Sequence, residues 1–114
     1  MRIIRQEELP LSNIARELVG TDHGIDGISV ILVKAPPGSG PSLHRHDYDE
    51  VIIVQGGRGL FRAGEEEAEL ATGDVLVVPA GTPHSFRNVG SEPLLQVDIH
   101  ASSRFATEWL EPEG

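Results

Sequence analysis

His44-Arg45-His46-Asp47-Tyr48-Asp49-Glu50 runs directly into Val51-Ile52-Ile53-Val54. The two histidines stand two residues apart, so on an extended strand both imidazoles leave the same face. The β-branched run that follows Glu50 reads as a strand. The histidines therefore end one strand and the carboxylate opens the next. The connecting chain is short enough to turn back and bring the three groups together. Two imidazoles and a carboxylate gathered in this way make a partial metal site and call for a fourth ligand.

Outward from that stretch, punctuation dominates. Thirteen glycines and eight prolines break 114 residues at short intervals, the pattern of an all-β domain with frequent turns. Strands are expected at Gly27–Val33, Val51–Gln55, Gly59–Ala63, Ala68–Ala71, Val75–Val78, His84–Val89 and Leu94–His100, with a short one at Arg2–Arg5. A helical piece capped by Ser12 is expected over Asn13–Val19, ending at Gly20, and a helical turn near Thr107–Leu110. Thr21–Gly27 reads as a loop, with His23 at the surface. Glu65-Glu66-Glu67 reads as a solvated hairpin tip. About eight short strands at roughly eight- to twelve-residue spacing leave a β-sandwich or a β-barrel. The expected organisation is one domain over residues 1–114. Its core barrel covers about 27–101, and extensions 1–26 and 102–114 pack on the barrel or on a partner subunit.

Composition removes several function classes. Nine basic against eighteen acidic residues give a net charge of −9, which argues against nucleic acid and anionic membrane as partners. No apolar run approaches the roughly 20 residues that span a bilayer. There is no cysteine, so disulfides, thiolate metal sites and cysteine nucleophiles are excluded. With no basic-apolar leader in view, the expected location is the cytoplasm.

The histidines are His23, His44, His46, His84 and His100. His84 is the strongest candidate for the fourth ligand. It follows Pro79-Ala80-Gly81-Thr82-Pro83, a turn whose two prolines fix where the next strand starts.

At this point the chain resembles the cupins. Gly38, five residues, His44-x-His46, three residues, Glu50, six residues and Gly57 match the first cupin motif at every defined position. Gly73, five residues, Pro79-x-Gly81, two residues, His84, three residues and Asn88 match the second. The resemblance implies a double-stranded β-helix, that is a jelly-roll barrel, paired as a homodimer. It also implies that His44, His46, Glu50 and His84 hold one divalent metal inside the barrel. Three imidazoles and a carboxylate suit Fe, Mn, Ni, Cu or Zn and leave one or two coordination positions open. With a divalent ion the set carries a formal charge of +1, which favours an anionic or enolate-type ligand.

The expected function is that of a metal-dependent enzyme acting on a small organic molecule. Dioxygenase-type oxidoreductase chemistry comes first, and isomerase, cyclase or lyase chemistry second, with Glu50 as the catalytic base. The rival is a non-catalytic module that binds a metal or a small ligand.

Strand parity supplies the candidate pocket. Ile52 and Val54 share a face with Glu50, and Phe86 shares one with His84. Tyr48 is either turn surface or a hydrogen-bonding group for a substrate. On Leu94–His100, the residues Leu95, Val97 and Ile99 share one face; Leu94, Gln96, Asp98 and His100 share the other. An ordinary barrel turns the apolar set inward and leaves Gln96 and His100 at the surface. The opposite parity puts both in the pocket, and it is allowed if the outer sheet packs on a partner or on the chain's own N-terminus. Phe105 and Trp109 are expected to close the barrel or to pack at a dimer interface.

Overall fold

The computed structural model describes residues 1–112, so the end of the 102–114 extension lies outside the described residues. Ten strands form: β1 (Ala15–Leu18), β2 (Ser29–Ala35), β3 (His44–Arg45), β4 (Glu50–Gly56), β5 (Arg58–Ala63), β6 (Glu66–Ala71), β7 (Val75–Val78), β8 (His84–Asn88), β9 (Leu94–His100) and β10 (Glu108–Trp109). They pair antiparallel in two five-stranded sheets, ordered β1-β2-β9-β4-β7 and β10-β3-β8-β5-β6. The fold is the jelly-roll barrel. Among the described residues no helix is long and apolar enough to cross a membrane.

Register divides the interior into two ends. Glu50 and Ser29 both pair with His100, and His44 and Ala63 both pair with His84. These partners define a polar end. Ala35 opposite Leu94 and Gly59 opposite Asn88 define the other. There Asn88 Nδ2 donates to the carbonyl of Ala35 at 2.9 Å and ties one sheet to the other. The space between is filled by Ile31, Val33, Ile52, Val54, Val78 and Leu94, with Phe61 stacked on its cross-strand partner Phe86 at 5.4 Å. The barrel is therefore a dry core with a polar chamber at one end.

Four local expectations are overturned. Residues 2–5 form no strand. The segment expected to be helical over Asn13–Val19 is strand β1, because β2 offers an open edge. Pairing there satisfies the backbone groups of a segment too short for a stable helix. Thr107–Leu110 contains strand β10 for the same reason: it completes the edge of β3. Gly20–His23, expected as loop after Gly20, is a short 3-10 turn.

The parity of β9 resolves against the ordinary barrel rule. Leu94, Gln96, Asp98 and His100 are buried, whereas Leu95 is 39% exposed. The reason lies in the sheet. Val77, Val51, Ile99 and Val30 form one row across its outer face, and Val75, Ile53, Val97 and Leu32 form the next. The apolar side of β9 joins that outer surface. Its polar side is released inward, where Asp98 and His100 line the chamber.

Candidate metal centre

His44 opens β3, His46 follows it, Glu50 opens β4 and His84 opens β8. The turns carrying them are laced together. Gly81 N donates to the carbonyl of His46 at 2.7 Å, and Ala80 N donates to Asp49 Oδ1 at 2.9 Å. The proline turn before His84 is thereby pinned to the turn between His46 and Glu50. All four side chains are buried.

The imidazoles face inward through Nε2. Glu50 Oε1 lies 3.1 Å from His84 Nε2 and 3.4 Å from His46 Nε2. The ring of His44 is 4.2 Å from that of His84 and 5.1 Å from that of His46. Outward, each Nδ1 meets a backbone carbonyl: His44 to Ser42 at 2.7 Å, His46 to Ala106 at 2.6 Å and His84 to Thr82 at 2.8 Å. A carbonyl only accepts, so each Nδ1 carries a proton, and in the neutral imidazole Nε2 then holds the lone pair that a metal takes. Such outward hydrogen bonds are what orient metal-binding histidines. Ligand atoms of His44, His46 and His84 lie within 4.8 Å of one another, as do those of His46, Glu50 and His100. The structure thus contains a His/Glu cluster able to bind a metal.

A second layer stands behind it. His100 Nε2 lies 3.4 Å from Glu50 Oε2, and its Nδ1 meets the Tyr48 hydroxyl at 2.7 Å. Tyr48, expected either as turn surface or as a substrate contact, is buried and stacked on His46, where it braces two imidazoles. Ile52 and Phe86 lie in the core beside the chamber, Phe86 on its wall. Gln96 is fully buried and donates from Nε2 to Asp98 Oδ1 at 2.8 Å.

The electrostatics follow from burial and partners. Burial lowers the His44 pKa from 6.5 to about 4, against the opposing bond to Ser42. His46 is lowered for the same reason. Burial would lower His84 too, but the bond to Glu50, the Thr82 carbonyl and the Glu50 charge together outweigh it and raise the pKa. For Glu50 burial pulls upward, and contacts with His100 and His84 hold the carboxyl below the usual range. Asp98 is pushed well up by burial and by the Glu50 charge. Burial also raises the Tyr48 hydroxyl.

Sequence reasoning did not find the rim. Trp109, assigned to barrel closure or a dimer interface, lies 5.1 Å ring to ring from His44 and is 42% exposed. Phe105 lies 4.8 Å from His100. Both line the chamber, as do Glu17 and Asp98. Only the long-range pairing of β1 and β10 brings Glu17 and Trp109 there. Asp98 was legible through its shared parity with His100. His23 is partly exposed and stands apart from the cluster, and Glu65-Glu66-Glu67 are exposed on the β5–β6 hairpin.

The sequence pattern of the cupin domain matches residues 31–100, more than half of the chain. The chain belongs to the cupin family. This cupin is 37% identical over 85 residues to an uncharacterised protein of Methanocaldococcus jannaschii, a match covering 72% of this chain and 67% of that one. It is 33% identical over 63 residues to the oxalate-binding protein of Thermotoga maritima, covering 54% and 52% respectively. Among solved structures it superposes on an oxalate decarboxylase of Bacillus subtilis with Mn(II) centres, at TM-score 0.81 and 24% identity, over 91% of this chain and 30% of that one. That likeness is one of fold. The chain thus spans about half of the oxalate-binding protein and under a third of the decarboxylase.

Proposed function

We propose that this cupin holds one divalent transition metal through His44, His46, Glu50 and His84 and acts through it on a small oxygen-bearing organic molecule. The observation that carries the reading is the set of three outward Nδ1–carbonyl bonds, which turn three Nε2 atoms inward, those of His46 and His84 beside Glu50 Oε1 and that of His44 beside the other two imidazoles. When bound, the metal supplies Lewis acidity and, with dioxygen, redox chemistry of dioxygenase type; isomerisation or lyase chemistry needs only the former. The chain supplies the rest. Glu50 presents Oε1 to the imidazoles and Oε2 to His100, and its lowered pKa suits a permanent ligand better than a proton acceptor. Tyr48 donating to His100 Nδ1 leaves the His100 proton on Nε2, facing Glu50, which makes His100 an orienting group and His84 the third imidazole ligand. The apolar walls exclude water around the site.

A second, non-catalytic reading is favoured by one finding, that the Thermotoga relative is named for binding oxalate. For the whole molecule we propose a homodimer formed through the outer face of the β1-β2-β9-β4-β7 sheet, where Val75 and Val77 are more than half exposed.

Metal analysis of the purified protein tests the site: about one equivalent is expected in wild type and little in His84→Ala. Full metal content in His84→Ala overturns the assignment. Oxygen consumption with enolisable or catechol-like compounds then separates the readings, because tight binding without turnover under any metal favours the binding module.

A further inference from the structure

We propose that the chamber selects a small oxygen donor that is neutral or singly charged and has an apolar body, and that Glu17 at its rim rejects dianionic dicarboxylates. The proposal rests on the metal-binding reading above and names the ligand class of that same site.

Size comes first. The chamber encloses about 190 Å³, below the roughly 300–1,000 Å³ of pockets that take drug-sized ligands. Shape comes second. Its walls carry Ile31, Val33 and Phe86, and its mouth carries Phe105 and Trp109. These two rings are 38% and 42% exposed, so an apolar group seated between them covers surface that water now wets.

Charge decides the rest. A divalent metal with Glu50 is +1, and Glu17 cancels that charge; Asp98, the third carboxyl group on the lining, adds no positive charge. Glu17 faces inward on β1, alternating with buried Ala15. It pairs with Ile31, whose other neighbour is Asp98. Two strand spacings, roughly 10 Å, therefore separate Glu17 from Asp98. Among the described residues lining the chamber there are three carboxylates and no lysine or arginine. One carboxylate of a ligand can meet the metal. A second, whether free or sharing the metal with the first, brings a further negative charge that no lysine or arginine on the lining offsets and that Glu17 repels across apolar walls, where repulsion is screened less than in water.

The test uses oxalate and oxamate, which share a shape but carry two charges and one. Metal content is measured first in wild type, Glu17→Gln and Glu17→Arg. Binding of both probes to the loaded proteins is followed by fluorescence of Trp109, the single tryptophan at the mouth. In Glu17→Gln, oxalate binding is expected to strengthen about fivefold more than oxamate binding, and further in Glu17→Arg. By titration calorimetry, benzohydroxamate is expected to bind wild type about tenfold tighter than acetohydroxamate, an advantage lost in Trp109→Ala. An oxalate-to-oxamate ratio unchanged in Glu17→Gln, with metal loaded, overturns the role of Glu17 alone. Equal affinity for the two hydroxamates overturns the apolar body. A wild-type protein that loads no metal overturns the metal-site reading, and this proposal falls with it.

Discussion

Three imidazoles in this chamber are held in one tautomer by backbone carbonyls, and a fourth is held by a phenol. That difference sorts the histidines by role, and Tyr48 is its hinge. Removing the hydroxyl in Tyr48→Phe frees His100 to turn from Glu50. Metal affinity is expected to fall about tenfold, as for other groups that orient metal ligands, measured by competition with a chelator. In the metal-free protein, ring NMR signals should report a split between neighbours. His44 is expected to titrate near pH 4 and His84 above its ordinary value. The linkage runs in opposite directions. Between about pH 6.5 and 4 the unfolded chain binds a proton on His44 that the folded chain refuses, so acid costs stability through this group. The raised His84 stabilises below pH 6.5, and that contribution is lost as pH rises through its folded value. Two indistinguishable titrations near 6.5 would contradict both environments.

At the scale of elements, turns position the ligands and glycines make the turns possible. Gly57 joins β4 to β5 at φ +79°, and a Cβ there would stand 2.5 Å from the carbonyl of Pro93. Gly73, before β7, has φ +97° and nothing within 4 Å of an added Cβ. Both belong to the sequence motifs, yet their replacement differs in kind. Gly73→Ala meets backbone strain alone, about 1–2 kcal/mol. Gly57→Ala adds a clash with backbone that cannot swing aside, and is expected to cost at least about 1 kcal/mol more. Thermal or urea unfolding of the two variants reads the difference, and equal midpoints would refute it. The same scale explains what local sequence concealed. Asn13–Val19 and Thr107–Leu110 have weak local preferences, and two open sheet edges decide their conformation. Those edge strands bring Glu17 and Trp109 to the chamber.

At the scale of the molecule, the sheet ordered β1-β2-β9-β4-β7 carries apolar rows on its outer face as well as inside. The proposed dimer covers that face. Val77→Glu sets a charge in the row formed with Val51 and Ile99 and is expected to convert the dimer to monomer. Light scattering after size exclusion measures the mass, and the metal content of the variant should stay that of wild type, since Val77 points away from the chamber. A monomeric wild-type protein would remove the dimer from the account.

An all-β domain and its ligand candidates were legible in the spacing of residues, and the resemblance of the two motifs to the cupins selected the barrel. Paired motifs of glycine, proline, histidine and glutamate at fixed spacing have local causes: tight turns, a proline-set strand start and two-residue alternation. Tertiary structure alone decided which face of β9 turns inward, since alternation yields two faces and only the neighbouring strands say which one meets the chamber. It also decided the outer partner of His46, whereas His44 and His84 use carbonyls two residues back. The carbonyl that orients His46 belongs to Ala106, sixty residues away, and no side chain marks it. The seven residues from His44 to Glu50 name a candidate metal site, and the strands that close over them shape the chamber around it.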